Sequence, residues 1–210
     1  MTETHANGEI LLDRSQDLWT VTLNRPEKAN ALTEPMLVSL TEIMRAAGSA
    51  RCVLLTGNGK IFSAGADLDA ARAGLAISPL WEDLSGAIAA LPCLTIAALN
   101  GTLAGGAMGM ALACDLRLAV PGAKFFYPVM KLGFLPQPSD PARLERLIGP
   151  ARSKLLLMGG QKISADEALS FGLIDRIVEA NALLETARDI AADTCAADPA
   201  IAHQIKALIP

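Results

Sequence analysis

The chain has 210 residues, a length that one hydrophobic core can serve, so a single domain spanning 1–210 is the expectation. With 51% apolar and 19% charged residues it reads as a packed protein rather than a disordered one, and a net charge of −4 without a basic stripe argues against nucleic acid as a partner. The longest apolar runs, "LPCLTIAAL" and "AMGMALAC", are too short and interrupted to span a bilayer, and "MTETHANGE" lacks the basic and apolar regions of a leader, which points to a cytoplasmic protein with no membrane partner.

In chain order, "LWTVTLN" (18–24) alternates like a half-buried strand, and Thr33 stands where a cap would precede a helix that turns Leu37, Leu40, Ile43, Met44 and Ala47 to one face. "RCVLLTG" (51–57) reads as a buried strand and "FSAGADL" (62–68) as a small-residue turn that opens a helical stretch. Ser78-Pro79 opens a helix burying Leu80, Leu84, Ile88 and Leu91. "LTIAALN" (94–100) is strand, "NGTLAGGAMGM" (100–110) a glycine-rich turn into a helix, and "LRLAV" (116–120) a further strand. Strand and helix therefore alternate over 1–139. From Asp140 helices take over: one from Asp140-Pro141 to Gly149, one from Pro150 to Gly159, and one with a Ser164–Glu167 capping box that stops at Gly172. The part 140–210 is thus expected to be helical, and the change near Asp140 is a candidate lobe boundary. Cys52, Cys93, Cys114 and Cys195 are dispersed without CxxC spacing, so buried reduced thiols are expected and no metal site.

The glycines at 101, 105, 106 and 109 stand where a helix must start, although each glycine inside a helix costs about 1 kcal/mol against alanine. Missing side chains at a helix start leave unpartnered N–H groups open to a ligand. The turn at 62–68 makes a second such corner, and two amides from two corners make an oxyanion hole. Tight turning or close packing explains the same glycines equally well. A phosphate loop fits poorly, because no Gly-Lys-Ser/Thr follows either turn.

Five segments, in order, resemble the crotonase superfamily, the enoyl-CoA hydratases and isomerases: "LNRPEKANAL" (23–32), "FSAGADL" (62–68), "NGTLAGGAMGMALACDLRLA" (100–119), "AKFFYPVMKLGFLP" (123–136) and "GQKISADEALSFGLIDRIV" (160–178). The resemblance implies an α/β fold, a spiral of ββα units with a C-terminal helical region, assembled as homotrimers or hexamers. It implies an acyl-CoA thioester as partner, stabilisation of a thioester enolate, a role in fatty acid metabolism, and no cofactor beyond the coenzyme A that the substrate carries. By motif position, the oxyanion donors are the N–H groups of Ala66 and Gly106, and Lys28, Ala29, Ala64, Asp67 and Leu68 line the coenzyme A path. Lys28 contacting CoA and Lys28 merely solvated are equal readings. Asp67 and Asp115 also read as a helix cap and a turn brace.

The departures matter as much as the matches. The two glutamates of family hydratases fall on Gly109 and Val129, and the alternative isomerase acid falls on Val129 or Gln137, none of which exchanges protons near neutral pH. A glutamate pair installed at those first two positions is therefore expected to confer hydration. Tyr127, Lys131, Gln137, Ser139 and Asp140 are the nearby polar side chains; Asp140 is a candidate acid, with a helix N-cap in "SDPARL" as its stronger alternative. The helices that follow "GLIDRIV" in the family are cut back to roughly two. Leu155, Leu156, Leu157, Ile174, Ile177, Leu183 and Leu184 are expected to give an apolar face for assembly. Two functions fit: an isomerase- or lyase-type enzyme that lacks the usual hydratase acids, or an inactive acyl-CoA-binding or carrier protein.

Overall fold

The apolar runs fold into two sheets in the computed structural model, which describes residues 2–15 and 17–209. The strands are β1 (Thr2–His5), β2 (Ile10–Ser15), β3 (Leu18–Leu23), β4 (Cys52–Gly57), β5 (Ile61–Ser63), β6 (Leu94–Leu99), β7 (Thr102–Ala104), β8 (Leu116–Ala119), β9 (Lys124–Phe126), β10 (Ile163–Ser164) and β11 (Arg176–Ile177). The helices are α1 (Glu34–Ala46), α2 (Leu68–Arg72), α3 (Leu80–Ala89), α4 (Met108–Ala113), α5 (Val129–Leu132), α6 (Asp140–Leu157), α7 (Ala165–Phe171), α8 (Leu183–Ala196) and α9 (Pro199–Ala207). One sheet has the order β1-β2-β3-β4-β6-β8-β11 and the other β10-β9-β7-β5. The pairs β4/β5, β6/β7 and β8/β9 each send their first strand into the larger sheet and their second into the smaller, and then a helix follows. This is the ββα spiral that the resemblance implies.

Burial follows from sheet position. β4 lies between parallel partners β3 and β6, and all of its residues are buried, as a near-continuous apolar run requires. In β3 only alternate residues, Trp19, Val21 and Leu23, are buried. α1 buries Met36, Leu37, Leu40, Ile43 and Met44. Thr33 holds the extended cap position before α1, yet its hydroxyl makes no cap bond; Pro35 in the first turn removes one N–H that a cap would accept.

Residues beyond Asp140 do more than add helices. β10 pairs with β9, β11 pairs with β8, and Lys206 Nζ on α9 donates to the Cys93 carbonyl (2.7 Å) and to Asp115 Oδ2 (2.8 Å). Both sheets therefore run across the change at Asp140. α6 breaks at Gly149 (φ 76°) where Pro150 begins the second piece, and α7 carries the capping box and the left-handed Gly172 expected for it. The seven residues expected to form an assembly face are largely covered by the chain itself: Leu156, Ile174 and Leu183 are buried and Leu155 is exposed. Cys52, Cys93 and Cys114 are buried free thiols and Cys195 is half-buried; burial pushes Cys93 up to about 11 and Cys114 up to about 12.

Candidate active site

Each glycine of "NGTLAGGAMGM" answers to a different neighbour. A Cβ on Gly101 would lie 1.9 Å from the Lys60 carbonyl oxygen, so that position is fixed by close backbone packing. Gly105 has φ +59° and sits against the other corner, where a Cβ on Gly65 would meet Gly105 Cα at 3.4 Å. A Cβ on Gly106 would press the Trp81 ring at 3.1 Å, and one on Gly109 would stand 3.0 Å from Asp140 Oδ1 and 3.3 Å from Oδ2. Close packing and backbone conformation thus account for the run.

The corner at Gly65 lies against Ala104 and Gly105 of the other, and it is also bonded to the loop that ends at Leu32. The Leu32 N–H donates to the Gly65 carbonyl (2.7 Å) and the Asp67 N–H to the Leu32 carbonyl (2.9 Å), bonds that leave the Ala66 N–H without a backbone acceptor among the described residues. Gly106 lies in the 3-10 turn Gly105–Ala107 that leads into α4, a position whose N–H has no partner within the helix.

The residues assigned to coenzyme A by resemblance fall on two joined segments. The Ala64 N–H donates to the Ala29 carbonyl (3.0 Å), and Lys28, Ala64 and Leu68 are exposed. Buried Asn30 organises the loop: its Oδ1 accepts from the Arg25 N–H (2.8 Å) and its Nδ2 donates to the carbonyls of Asn58 (2.9 Å) and Ile61 (2.8 Å). Asp67 accepts from the Asp69 and Ala70 N–H groups at the start of α2 and from Arg25 Nη1 (2.8 Å), a guanidinium that holds its carboxyl below the usual range. It is a helix cap. Asp115 likewise braces a turn, accepting from the Thr95 N–H (2.8 Å) and hydroxyl (2.9 Å).

Asp140 departs from the N-cap expected of it. Ser139 occupies the cap position, Asp140 is the first residue of α6, and its side chain turns inward with 0% exposure. "SDP" offers two residues suited to a cap, and the fold uses the position of the first. Tyr127 donates its hydroxyl to Asp140 Oδ2 (2.9 Å) and accepts from the Gln137 N–H (3.3 Å). Asp140 Oδ1 is buried without a hydrogen-bond partner and pairs at 3.9 Å with Arg143 Nη1, which likewise makes no hydrogen bond. Burial pushes the Asp140 carboxyl up to about 6, against the opposing pull of the Tyr127 bond and the Arg143 charge; the Glu82 charge adds to the rise.

The expectation that a glutamate pair at 109 and 129 confers hydration changes accordingly. The Asp140 carboxylate lies 3.0 Å from where the Cβ of a side chain at 109 would sit, so a glutamate there would crowd it and repel its charge. Of the other polar candidates, Tyr127 joins Asp140, Gln137 contributes its backbone N–H and Lys131 is exposed. Two residues went unnoticed in the sequence. Trp81 and Glu82 on α3 reach Gly106 and Ser139 respectively. The spacing 81, 84, 85, 88 of the buried face of α3 carries the signal for Trp81, which the 80, 84, 88, 91 reading passed over.

The two sheets, the ββα repeats and the two adjoining corners place the chain in a class of α/β spiral proteins. The sequence pattern of the enoyl-CoA hydratase/isomerase family matches residues 13–209. The 1,2-epoxyphenylacetyl-CoA isomerase of Escherichia coli (strain K12) is 34% identical over 194 residues, covering 87% of this chain and 74% of that protein. The crotonyl-CoA hydratase of Syntrophomonas wolfei is 34% identical over 195 residues, covering 89% and 75%. An enoyl-CoA hydratase from Bacillus anthracis superposes with a TM-score of 0.89 at 33% identity, over 96% of this chain and 82% of that one. The chain belongs to the enoyl-CoA hydratase/isomerase family, within the crotonase superfamily.

Proposed function

We propose that this protein binds an acyl-CoA thioester and moves a proton on its acyl group with one carboxylate, Asp140, in an isomerase-type reaction. The Ala66 and Gly106 N–H groups donate to the thioester oxygen, and the coenzyme A runs past Lys28, Ala29, Ala64, Asp67 and Leu68. With a 3-enoyl thioester, ionised Asp140 removes a proton from C2, the electrons pass to the thioester oxygen held by the two amides, and the protonated carboxyl returns that proton to C4. The product is the 2-enoyl isomer, with no atom gained or lost. Preorganised amides at such an oxygen are each worth about 2.7–4 kcal/mol.

The observation that carries this reading is the Oδ1 of Asp140, buried without a hydrogen bond, at the vacant side-chain position of Gly109, three residues along from Gly106. A carboxyl that titrates near 6 is ionised at neutral pH and still returns a proton readily. That one of the relatives, beside hydratases of equal identity, is a CoA-thioester isomerase supports an isomerase-type reaction. Assembly as trimers or hexamers belongs to the same proposal, supported by the exposed Ile201, Ile205 and Leu208 on and just after α9.

The test is conversion of a short 3-enoyl-CoA to its 2-enoyl isomer, followed by ultraviolet absorbance beside calorimetric binding. Wild type should convert it, and Asp140→Asn should lose about 10²–10⁴-fold in kcat while still binding. Tight binding with no conversion of any enoyl-CoA would replace this reading with that of an acyl-CoA carrier.

A further inference from the structure

α3 places two consecutive side chains on the two halves of the proposed site. Trp81 is buried, its indole N–H donates to the Leu75 carbonyl (2.7 Å), and its ring lies where a Cβ on Gly106 would come within 3.1 Å. Glu82 accepts from the backbone N–H of Ser139 (3.2 Å) through Oε2 and from the Ser139 hydroxyl through Oε1. Ser139 makes no side-chain cap bond to α6, so the carboxylate that satisfies its N–H comes from another helix. We infer that Trp81 and Glu82 are positioning residues, a clasp that fixes Asp140 relative to the Gly106 corner and holds a negative charge beside it. This rests on Asp140 being the acting carboxylate.

A helix start tied to a partner 57 residues away is held by that tie. Without Glu82, Ser139 would lose both of these contacts, and the first residue of α6, Asp140, would be free to shift from the Gly109 space. Around Asp140 stand Tyr127 ahead of α5, Arg143 within α6 and Gly109 on α4, which brings no charge, while the Glu82 carboxylate from α3 sits on the preceding residue, Ser139. Tyr127 and Arg143 favour the ionised carboxyl and Glu82 opposes it. Removing the Glu82 charge should therefore make Asp140 a stronger acid, an effect that a purely structural contact would not produce.

The experiment compares Glu82→Gln and Glu82→Ala with wild type by titrating the carbon-13 carboxyl resonance of Asp140, identified by its absence in Asp140→Asn. Glu82→Gln keeps an acceptor for Ser139 and loses the charge, so the Asp140 midpoint should fall and its proton affinity drop by about 3- to 10-fold. The acid limb of kcat against pH should move the same way. Glu82→Ala should in addition lower kcat at pH 8 by about tenfold or more with KM little changed. Should Glu82→Gln fold poorly, Ser139→Ala with Glu82 intact loses the hydroxyl bond and should lower kcat without moving the midpoint downward. An Asp140 titration in Glu82→Gln that superimposes on wild type would overturn the clasp. Full turnover in Asp140→Asn would instead overturn the reading of Asp140, and the titration, which needs no turnover, keeps the two failures apart.

Discussion

Replacing Asp140 by Asn should stabilise the protein and remove the proposed proton transfer. The carboxyl ordinarily titrates at 3.8 and in the fold at about 6, so the folded state holds the proton more tightly than the unfolded chain. Between these values the folded state carries more bound proton, and stability must fall as pH rises; above about 6 the whole cost of burying the charge is present. About two pH units at 1.36 kcal/mol each put that cost at about 3 kcal/mol. Asn keeps the volume, still offers an oxygen to the Tyr127 hydroxyl, and carries no charge. Urea unfolding of both proteins across pH 4 to 8 should show a small difference at the acid end and an advantage of about 2–3 kcal/mol for Asp140→Asn at pH 8, or about 2–4 °C in Tm for each kcal/mol. Because other groups cancel in the difference, its growth with pH reports Asp140 alone. A difference that stays flat with pH, or a variant less stable than wild type at pH 8, would refute the burial of an ionised carboxyl.

Gly109→Ala gains about 1 kcal/mol of helix propensity, yet its methyl would stand 3.0 Å from Asp140 Oδ1 and must displace the carboxylate; a net loss of about 1–2 kcal/mol and at least tenfold in kcat is expected by thermal unfolding and steady-state assay. For the same reason Gly109→Glu with Val129→Glu should not yield a hydratase, which crotonyl-CoA consumption would check. Tyr127→Phe removes the bond that lowers the Asp140 pKa, so the acid limb of the rate profile should move upward, with a stability loss of about 1–3 kcal/mol. A thiol reagent should label Cys195 first and reach Cys52, Cys93 and Cys114 only on unfolding, as mass spectrometry of a labelling time course would show.

Much of the fold is legible in the chain because its signals are local. The buried run of β4, the Gly149-Pro150 break and the Ser164–Glu167 box are written in consecutive residues, and the structure uses each as read. The corners at Ala66 and Gly106 were legible as glycine-rich turns after strands. Asp140 was legible only as a candidate acid behind a stronger reading as a cap, because its surroundings depend on a missing side chain 31 positions earlier, at Gly109, and on Tyr127 just after β9. Local pattern favours the cap in "SDPARL", and only tertiary packing turns the carboxylate inward. Glu82 is hidden for a similar reason: a glutamate in the first turn of a helix looks like a dipole partner, and its bond to Ser139 spans 57 residues. The residues offered for an assembly face are a different case. An apolar helix stripe does not say whether its own sheet or another protomer covers it, and here Leu156 and Leu183 meet their own core.

Exchange of the α protons of a saturated short-chain acyl-CoA in deuterium oxide, followed by proton NMR, tests most directly the claim that one carboxylate moves a proton beside a held thioester oxygen. It needs no double bond and no choice of product. Wild type should introduce deuterium at C2, faster as pH rises through about 6, and Asp140→Asn should bind the thioester without exchanging it. Exchange at the wild-type rate in Asp140→Asn, or bound thioester with no exchange in wild type, would contradict the account.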